Sequence, residues 1–287
     1  MRGAPETISL IRPRSAAEAV RAFARRPEAV PLAGGTDFMV GWNAGVWNHA
    51  VVLDLSQIRE WTAIKPLRRG VRVGALATHG RLLRHPLVRG RLPLLAQACA
   101  VIGGVAIQNR GTLAGNIANA SPAGDTFPPL AVYEALVHTV SARGRRTVRF
   151  LEVFAGVKKT WLEPSELIEA VEVPFPRRPP ARQMFRKVGT RAAQALSKTV
   201  AAGLLWRTRD GRVEELRFAL GSMAPTVRRL PKVEAFVAGR KTTPAVVEQA
   251  CRLLDEEVSP IDDVRSTAEY RMHVSRNLLR SFLVERA

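Results

Sequence analysis

The chain has 287 residues and 46% of them are hydrophobic, so it is long enough to bury one large core or two moderate ones. Its formal charge is +19, but the basic residues are scattered singly or in pairs, which argues against a nucleic-acid partner and favours a solvated arginine-rich surface or an acidic protein partner. No apolar run approaches the ~20 residues of a membrane span, and the N-terminus lacks the apolar core of a signal peptide, so we expect a cytoplasmic protein.

The first predicted elements form a strand, a helix and a second strand. A short strand covers 7–12, and a helix follows Ser15. Ser15 and Glu18 have the spacing of a capping box, in which each side chain accepts a hydrogen bond from a backbone amide at the helix start. A second strand over 29–33 leads into the sequence AGGTD at 33–37. This glycine-rich loop would leave the carboxyl end of a strand, where α/β proteins usually bind ligands.

The middle of the chain predicts short strands and helices, because apolar runs of strand length are separated by turns and by residues that start helices. In chain order the predicted elements are a strand over 49–56, a hairpin over 61–75 turning at Arg69–Gly70, a helix capped by Thr78, a helix over 93–101, a helix capped by Asp125, a hairpin over 136–149 turning at Arg143–Gly144, and a strand over 167–175.

A proline- and arginine-rich segment, PRRPPAR at 176–182, predicts a linker between two domains, because it interrupts any regular element. The domains would cover 1–175 and 183–287. The second domain is expected to be α+β, with an antiparallel sheet and helices. Its signals are apolar strands on either side of a turn at Asp210–Gly211, a helix start at Thr243–Pro244, and a last helix over 268–284.

Two glycine-rich segments, 33–37 and GTLAGNIANASPAGD at 111–125, are the strongest functional signal. Glycine reaches positive φ without steric cost, so consecutive amides can converge on an anion. We therefore expect two loops whose backbone grips the pyrophosphate of a dinucleotide, with two ordinary tight turns as the alternative. Neither segment is a GxGxxG or a GxxxxGK[ST] motif. The polar residues of the second segment, which favour binding, are Thr112, Asn116, Asn119, Ser121 and Asp125.

Other candidate residues give weaker signals. Asp37 and Asp125 follow the glycine segments, where a carboxylate orders a turn or accepts from a ribose hydroxyl more often than it acts as a catalytic acid or base. Lys187 and Arg191 follow the linker, where they are either cofactor contacts or a solvated surface pair. Cys99 and Cys251 lie in apolar helical patterns and are expected to be buried. Because no CxxC is present, the chain alone should hold no iron–sulfur cluster.

Together the motifs resemble the FAD-binding medium subunit of the molybdenum hydroxylases, the family of xanthine dehydrogenase and carbon monoxide dehydrogenase. The resemblance covers nearly the whole chain and rests on AGGTD, IGG at 102–104, the segment 111–125, ELI at 166–168, KVGTR at 187–191 and the late DDVR…EYR. It implies an α+β fold, in which an FAD-binding domain of the vanillyl-alcohol-oxidase (PCMH) type precedes a smaller α+β domain with an antiparallel sheet.

The resemblance also implies which residues hold FAD, and it implies no catalytic acid, base or metal ligand in this chain. The implied cofactor-binding residues are Pro31, Leu32, Ala33, Gly34, Gly35, Thr36, Asp37, Phe38, Ile102, Gly103, Thr112, Gly115, Asn116, Ala118, Asn119, Gly124, Asp125, Leu167, Ile168 and Lys187. Ala114 departs from the family, which usually has glycine there. If that position needs positive φ, the methyl group costs about 1 kcal/mol.

The resemblance implies a division of labour among subunits. A large subunit would carry a molybdenum cofactor, a small subunit 2Fe–2S clusters, and the assembly would be a dimer of heterotrimers. FAD on this chain would collect electrons and pass them to NAD⁺ or another acceptor. Two alternatives are a free-standing FAD-dependent oxidase or reductase and a cofactor-free basic adaptor whose glycine segments are only turns.

Overall fold

A computed structural model describes residues 3–191 and 194–284. The predicted domains also include residues 1–2 and 285–287, which lie outside the described residues. The described part is α+β. To Pro174 its elements are β1 (Ser9–Ile11), α1 (Ala16–Arg25), β2 (Val30–Leu32), α2 (Phe38–Asn43), β3 (Val51–Asp54), β4 (Ile64–Leu67), β5 (Gly70–Gly74), α3 (His79–Arg84), α4 (Pro86–Arg91), α5 (Pro93–Ala100), α6 (Val105–Arg110), α7 (Leu113–Asn119), α8 (Phe127–Val132), β6 (Leu136–Ser141), β7 (Gly144–Arg149), β8 (Phe154–Gly156), β9 (Lys159–Thr160) and β10 (Leu167–Pro174).

The remaining elements of the described chain are four strands followed by three helices. They are β11 (Arg182–Val188), β12 (Thr199–Arg207), β13 (Val213–Gly221), β14 (Arg228–Arg229), α9 (Pro231–Val237), α10 (Pro244–Glu257) and α11 (Ala268–Val284). No helix or strand of the described chain covers 175–181, and β11 begins at the last residue of the predicted linker. The domain boundary itself stays a prediction.

The N-terminal strands form a small parallel sheet in which β1 and β2 lie on either side of β3. The capping of α1 follows the prediction in part. The Ser15 hydroxyl accepts from the Glu18 amide at 3.2 Å, but the Glu18 carboxylate accepts from the Arg14 amide at 2.8 Å instead of the Ser15 amide. The parallel pairing places the segment 33–37 at the carboxyl end of β2, as predicted.

A larger antiparallel sheet follows, with strand order β4-β5-β10-β6-β7. Both predicted hairpins are present, but each turns one residue earlier, at 68–69 and 142–143. The glycines that were predicted in the turns instead begin strands, since Gly70 pairs with Leu67 and Gly144 with Ser141. A β-bulge interrupts the pairing of β10 with β6 at Glu169, next to the start of β10.

The C-terminal sheet has the order β11-β12-β13-β14 and is antiparallel, as predicted. The turn between β12 and β13 contains Gly211 at a φ of +83°. Strand β12 is buried on both faces, because alternate residues enter two different cores. Val200, Ala202, Leu204 and Trp206 join the core of the N-terminal part, whereas Ala201 and Leu205 join a second core beneath α9, α10 and α11.

Helix α8 packs against β12 and β13, so it lies between the two halves of the chain. Cys99 in the first core and Cys251 in the second are both buried and free, as predicted. The sheet β11–β14 is therefore the central layer that joins the N-terminal part to the C-terminal helices.

Candidate functional site

A cleft of about 730 Å³ collects segments that are far apart in the sequence. Every residue that the resemblance assigns to the cofactor lines it, except Lys187. The walls come from the segment after β2, the region of α6 and α7, the start of β10 and the loop before β12. Lining residues that the sequence did not single out for the cofactor include Trp47, His79, Glu166, Gln194, Ala195 and Leu196.

The first wall, residues 33–37, carries unpaired backbone donors. The amides of Gly34, Gly35, Thr36 and Asp37 donate to no group within the described chain. Gly35 has a φ of +77°, and a β-carbon there would contact only the Leu32 side chain, at 3.6 Å. A short row of free amides beside open space is the arrangement that binds an anion.

Gly34 has a structural task besides the amide that it offers to the cleft. A β-carbon at this position would overlap the backbone carbonyl of Arg110 and would lie 3.0 Å from the Cα of Gly111. The close neighbour is thus the chain itself and not a ligand. Because Gly34 lets the two glycine-rich segments touch, both contribute to the same cleft.

The second segment is not the loop of free amides that the sequence predicted. Residues Leu113–Asn119 form α7, and the Thr112 hydroxyl caps this helix by accepting from the Gly115 amide at 3.0 Å. Leu113 and Ile117 bury the inner face of α7, one helical turn apart. Helix formation therefore satisfies amides that the prediction left for phosphate, and the predicted second loop is wrong over Leu113–Asn119, whereas residues 120–125 do form a loop.

Ala114 lies inside α7 and is buried, with 5% of its surface exposed. Its backbone is helical and does not need positive φ. The strain that we expected at this departure from the family pattern does not arise. The left-handed residue of this region is Ala120, which ends α7 at a φ of +47°.

Asp125 forms a buried ion pair with Lys187 across the two halves of the chain. The Lys187 ammonium on β11 donates to Asp125 Oδ2 at 2.7 Å and to the Val101 carbonyl at 3.0 Å. Asp125 Oδ1 is buried and accepts no hydrogen bond from the described residues. Burial raises the pKa of Asp125 to about 6, although the Lys187 charge acts in the opposite direction.

This pairing corrects the expected cap and leaves the cofactor contact of Lys187 a prediction. Asp125 does not cap α8, because Thr126 occupies the N-cap position. Lys187 does not line the cleft and lies behind Asp125, which does. The lysine thus fixes the orientation of the carboxylate and leaves Oδ1 available for a donor.

A family model described as the FAD binding domain in molybdopterin dehydrogenase matches residues 6–176. The chain belongs to this family. A second model, the CO dehydrogenase flavoprotein C-terminal domain, matches residues 184–286. The predicted order of an FAD-binding domain followed by an α+β domain with an antiparallel sheet is confirmed. The chain is an FAD-binding oxidoreductase subunit of the xanthine dehydrogenase and CO dehydrogenase type.

Several relatives align with this FAD-binding subunit over most of their length. The glyceraldehyde dehydrogenase medium chain of Sulfolobus acidocaldarius is 28% identical, and the alignment covers 96% of this chain and 96% of that one. The nicotine 6-hydroxylase medium subunit of Paenarthrobacter nicotinovorans is 30% identical over 88% of each chain. Among solved structures, a carbon monoxide dehydrogenase from Hydrogenophaga pseudoflava that lacks the Mo-pyranopterin moiety matches with a TM-score of 0.91, 27% identity and coverage of 97% of this chain and 96% of that one.

The residues of the cleft suit FAD. The free amides of the first wall are donors for a diphosphate, and the unpaired Asp125 Oδ1 is an acceptor for a hydroxyl group. Apolar side chains from the IGG turn and from β10, including Ile102, Leu167 and Ile168, line the same cleft and suit a planar ring. Donors, an acceptor and an apolar surface are therefore present in one space.

Glu166, in the ELI motif, holds the β10 wall in place. Burial disfavours its charge, but bonds from Arg146 and Thr139 outweigh burial and lower the pKa of Glu166 to about 2. Arg146 binds both carboxylate oxygens at 2.6 Å. The sequence singled out Leu167 and Ile168 but not this carboxylate, whose partners lie on β6 and β7.

The late DDVR…EYR motif supports the cleft from behind. Arg271 is 2% exposed. Its guanidinium donates to the Lys198 carbonyl at 2.5 Å, to the Ser222 carbonyl at 3.2 Å and to Asp263 at 2.8 Å. The Ser222 amide in turn donates to the Pro122 carbonyl at 2.9 Å. The motif thus ties α11 to the loop that carries Asp125.

Asp37 and Arg191, the remaining candidates, have partners within the chain. Asp37 is largely exposed and lies 3.4 Å from the Lys158 ammonium. Arg191 donates to the Gln194 carbonyl from Nε at 3.1 Å and from Nη2 at 2.5 Å. Arg191 therefore supports the loop whose next residues line the cleft. In residues 3–191 and 194–284, no helix combines the length and the apolar character that crossing a bilayer requires.

Proposed function

We propose that this chain is the flavin-bearing electron-transfer subunit of a heteromeric molybdenum hydroxylase. It would receive electrons from 2Fe–2S clusters on a small partner subunit and deliver them to NAD⁺ or another acceptor. The observation that supports this best is the shared cleft, where the free amides of 34–37 and the unpaired Asp125 oxygen lie on walls from distant parts of the chain. These groups offer what a flavin dinucleotide needs, and no acid–base pair for an organic substrate was identified in the sequence.

The roles of the chain's own residues follow from their chemistry. FAD supplies the redox chemistry when it is bound, and the protein supplies binding, orientation and electrostatics. The amides of 34–37 would hold the diphosphate, and Asp125 would accept from a hydroxyl group of the ligand. Ile102, Leu167 and Ile168 would shield the ring system from water. Lys187 and Glu166 act indirectly, because each fixes a wall of the cleft.

The proposed partners follow from what this chain contains. Its two cysteines are buried in different cores, so neither is available as a cluster ligand. The relatives carry the names medium chain and medium subunit. We therefore place the 2Fe–2S clusters on a small subunit and the molybdenum cofactor on a large one, in a dimer of heterotrimers.

The test is to purify the full chain and measure its absorbance with and without added FAD, alone and co-expressed with the genes beside its own. The expected result is a yellow chain that binds one FAD and hydroxylates no substrate until both partners are present. Folded protein that stays colourless with FAD, alone and with its partners, would support the basic adaptor instead. Turnover of an organic substrate by the isolated yellow chain would support a free-standing oxidase or reductase.

A further inference from the structure

We infer that His79 donates a hydrogen bond from Nε2 to the diphosphate of the bound dinucleotide, and that the buried thiol of Cys99 fixes the tautomer that makes this possible. This inference rests on the proposed function, because it requires FAD in the cleft. His79 begins α3 and is absent from the motifs that identified the family.

His79 lies where the two glycine-rich segments meet. Its amide donates to the Gly111 carbonyl at 3.0 Å, and its side chain lines the cleft although the residue is only 2% exposed. A β-carbon on Gly111 would be 3.3 Å from His79 Cδ2 and 3.3 Å from the Thr36 hydroxyl oxygen. The Cδ2 edge of the imidazole, to which Nε2 belongs, is therefore beside the first wall.

The other side of the ring contacts the core. Nδ1 lies 3.8 Å from the sulfur of Cys99, a buried residue of α5. Burial raises the pKa of Cys99 to about 12 and lowers the pKa of His79 to about 4. At neutral pH the thiol is protonated and the imidazole is neutral, so the two groups do not form an ion pair.

This contact selects a tautomer. An imidazole nitrogen is a better acceptor than a thiol sulfur, so the S–H donates to Nδ1 and the ring proton resides on Nε2. Nε2 has no hydrogen-bond partner among the described residues. The result is an uncharged N–H donor at the cleft wall that needs an acceptor.

The neighbours of this donor indicate the chemical group that it meets. The nearby polar groups of the first wall are the Thr36 hydroxyl and the free amides of Gly34 and Gly35, which are also donors. Two free amides, a hydroxyl that can donate and the ring N–H form a group of donors, which suits phosphate oxygens better than the mixed edge of a flavin ring. Because His79 stays neutral, the bond would not require protonation of the ring.

The first experiment compares FAD affinity of the full chain by fluorescence titration. His79→Leu, which removes the donor, should weaken binding about tenfold, whereas His79→Gln retains an N–H group and should stay within about threefold. His273→Leu, on the exposed side of α11, is the control and should bind like the wild type. Wild-type affinity in His79→Leu would overturn the inference and leave the proposed function standing, whereas no FAD binding by the folded wild type with its partners would refute the proposed function.

The second experiment reads the tautomer directly, from the ring ¹⁵N shifts of His79 in the labelled full chain, and does not depend on a variant at His79. The wild type and Cys99→Ser, which keeps a donor, should show the proton on Nε2 with and without FAD. Cys99→Ala should show a mixture of tautomers and weaker FAD binding. A proton on Nδ1 in the wild type would overturn the inference.

Discussion

The two glycine-rich segments look alike in the sequence but differ in the structure. The first keeps the amides of 34–37 unpaired, whereas the middle of the second forms α7, in which the Thr112 hydroxyl accepts from the Gly115 amide. The first segment therefore offers backbone donors to the cleft, and the last residue of the second segment, Asp125, offers its carboxylate. Glycine content alone does not tell whether a segment binds a ligand or packs against its own chain.

The largest effect on stability should come from Gly34→Ala. The new methyl group would overlap the Arg110 carbonyl, and since this contact joins two backbones, neither side can rotate away. We expect a loss of about 3 kcal/mol in the free energy of unfolding, measured by urea denaturation. Gly35→Ala should lose only about 1 kcal/mol, from its left-handed backbone. Equal losses at both positions would contradict the distinction.

The largest effect on binding should come from Gly35→Val. The side chain would extend into the open space beside the free amides, so we expect FAD affinity to fall about 100-fold, measured by fluorescence titration. Gly211→Val is the matched control, because Gly211 has a φ of +83° against +77° and also no close neighbour, but lies in the turn between β12 and β13. Normal FAD binding by Gly35→Val would remove the first wall from the site.

Smaller effects of pH on stability and on FAD affinity should come from Asp125, at the end of the second segment. The folded-state pKa of Asp125 is about 6, above the ordinary 3.8, so the folded chain binds the extra proton and this group's contribution to stability falls as the pH rises from about 4 to about 6. FAD binding should have the opposite sign, because a ligand hydroxyl prefers the ionised carboxylate as its acceptor.

We therefore expect FAD affinity to be about five- to tenfold lower at pH 5 than at pH 7.5. Titrations of the wild type and of Asp125→Asn across this range would check it. The variant should show a flat profile at the lower affinity, with its folding followed by circular dichroism. The same pH dependence in Asp125→Asn would assign the titrating group elsewhere.

The smallest effect is expected for Ala114→Gly. Glycine inside α7 should reduce the free energy of unfolding by about 1 kcal/mol, while FAD affinity stays equal or rises slightly. Thermal denaturation and a binding titration would check both. Since Ala114 lines the cleft, a large loss of affinity would instead show that its methyl group contacts the ligand.

The sequence predicted which segments form the cleft better than it predicted the secondary structure of those segments. The strand that ends before AGGTD and the apolar start of β10 were recognisable from local pattern, and both lie where expected. Helix α7 was missed because its glycine and its two asparagines are typical of loops. Leu113 and Ile117, four residues apart and followed by a turn, were the available signal for a helix.

Other features depend on contacts that no local pattern contains. Asp125 and Lys187 are 62 positions apart, and their pairing follows from how β11 packs. The contact of His79 with Cys99 depends on how α3 lies against α5. The hairpin turns were each placed one residue late, because glycine was assigned to the turn although it opens the next strand.

The burial of β12 on both faces has a consequence for any attempt to divide the protein. A fragment that begins at β11 would present the row Val200, Ala202 and Leu204 to water, together with the side of β13 that α8 covers. Such a fragment should aggregate unless it finds another hydrophobic surface. Cleavage of the peptide bond within 175–181 should therefore leave a nicked but associated molecule, because the two pieces share one interior.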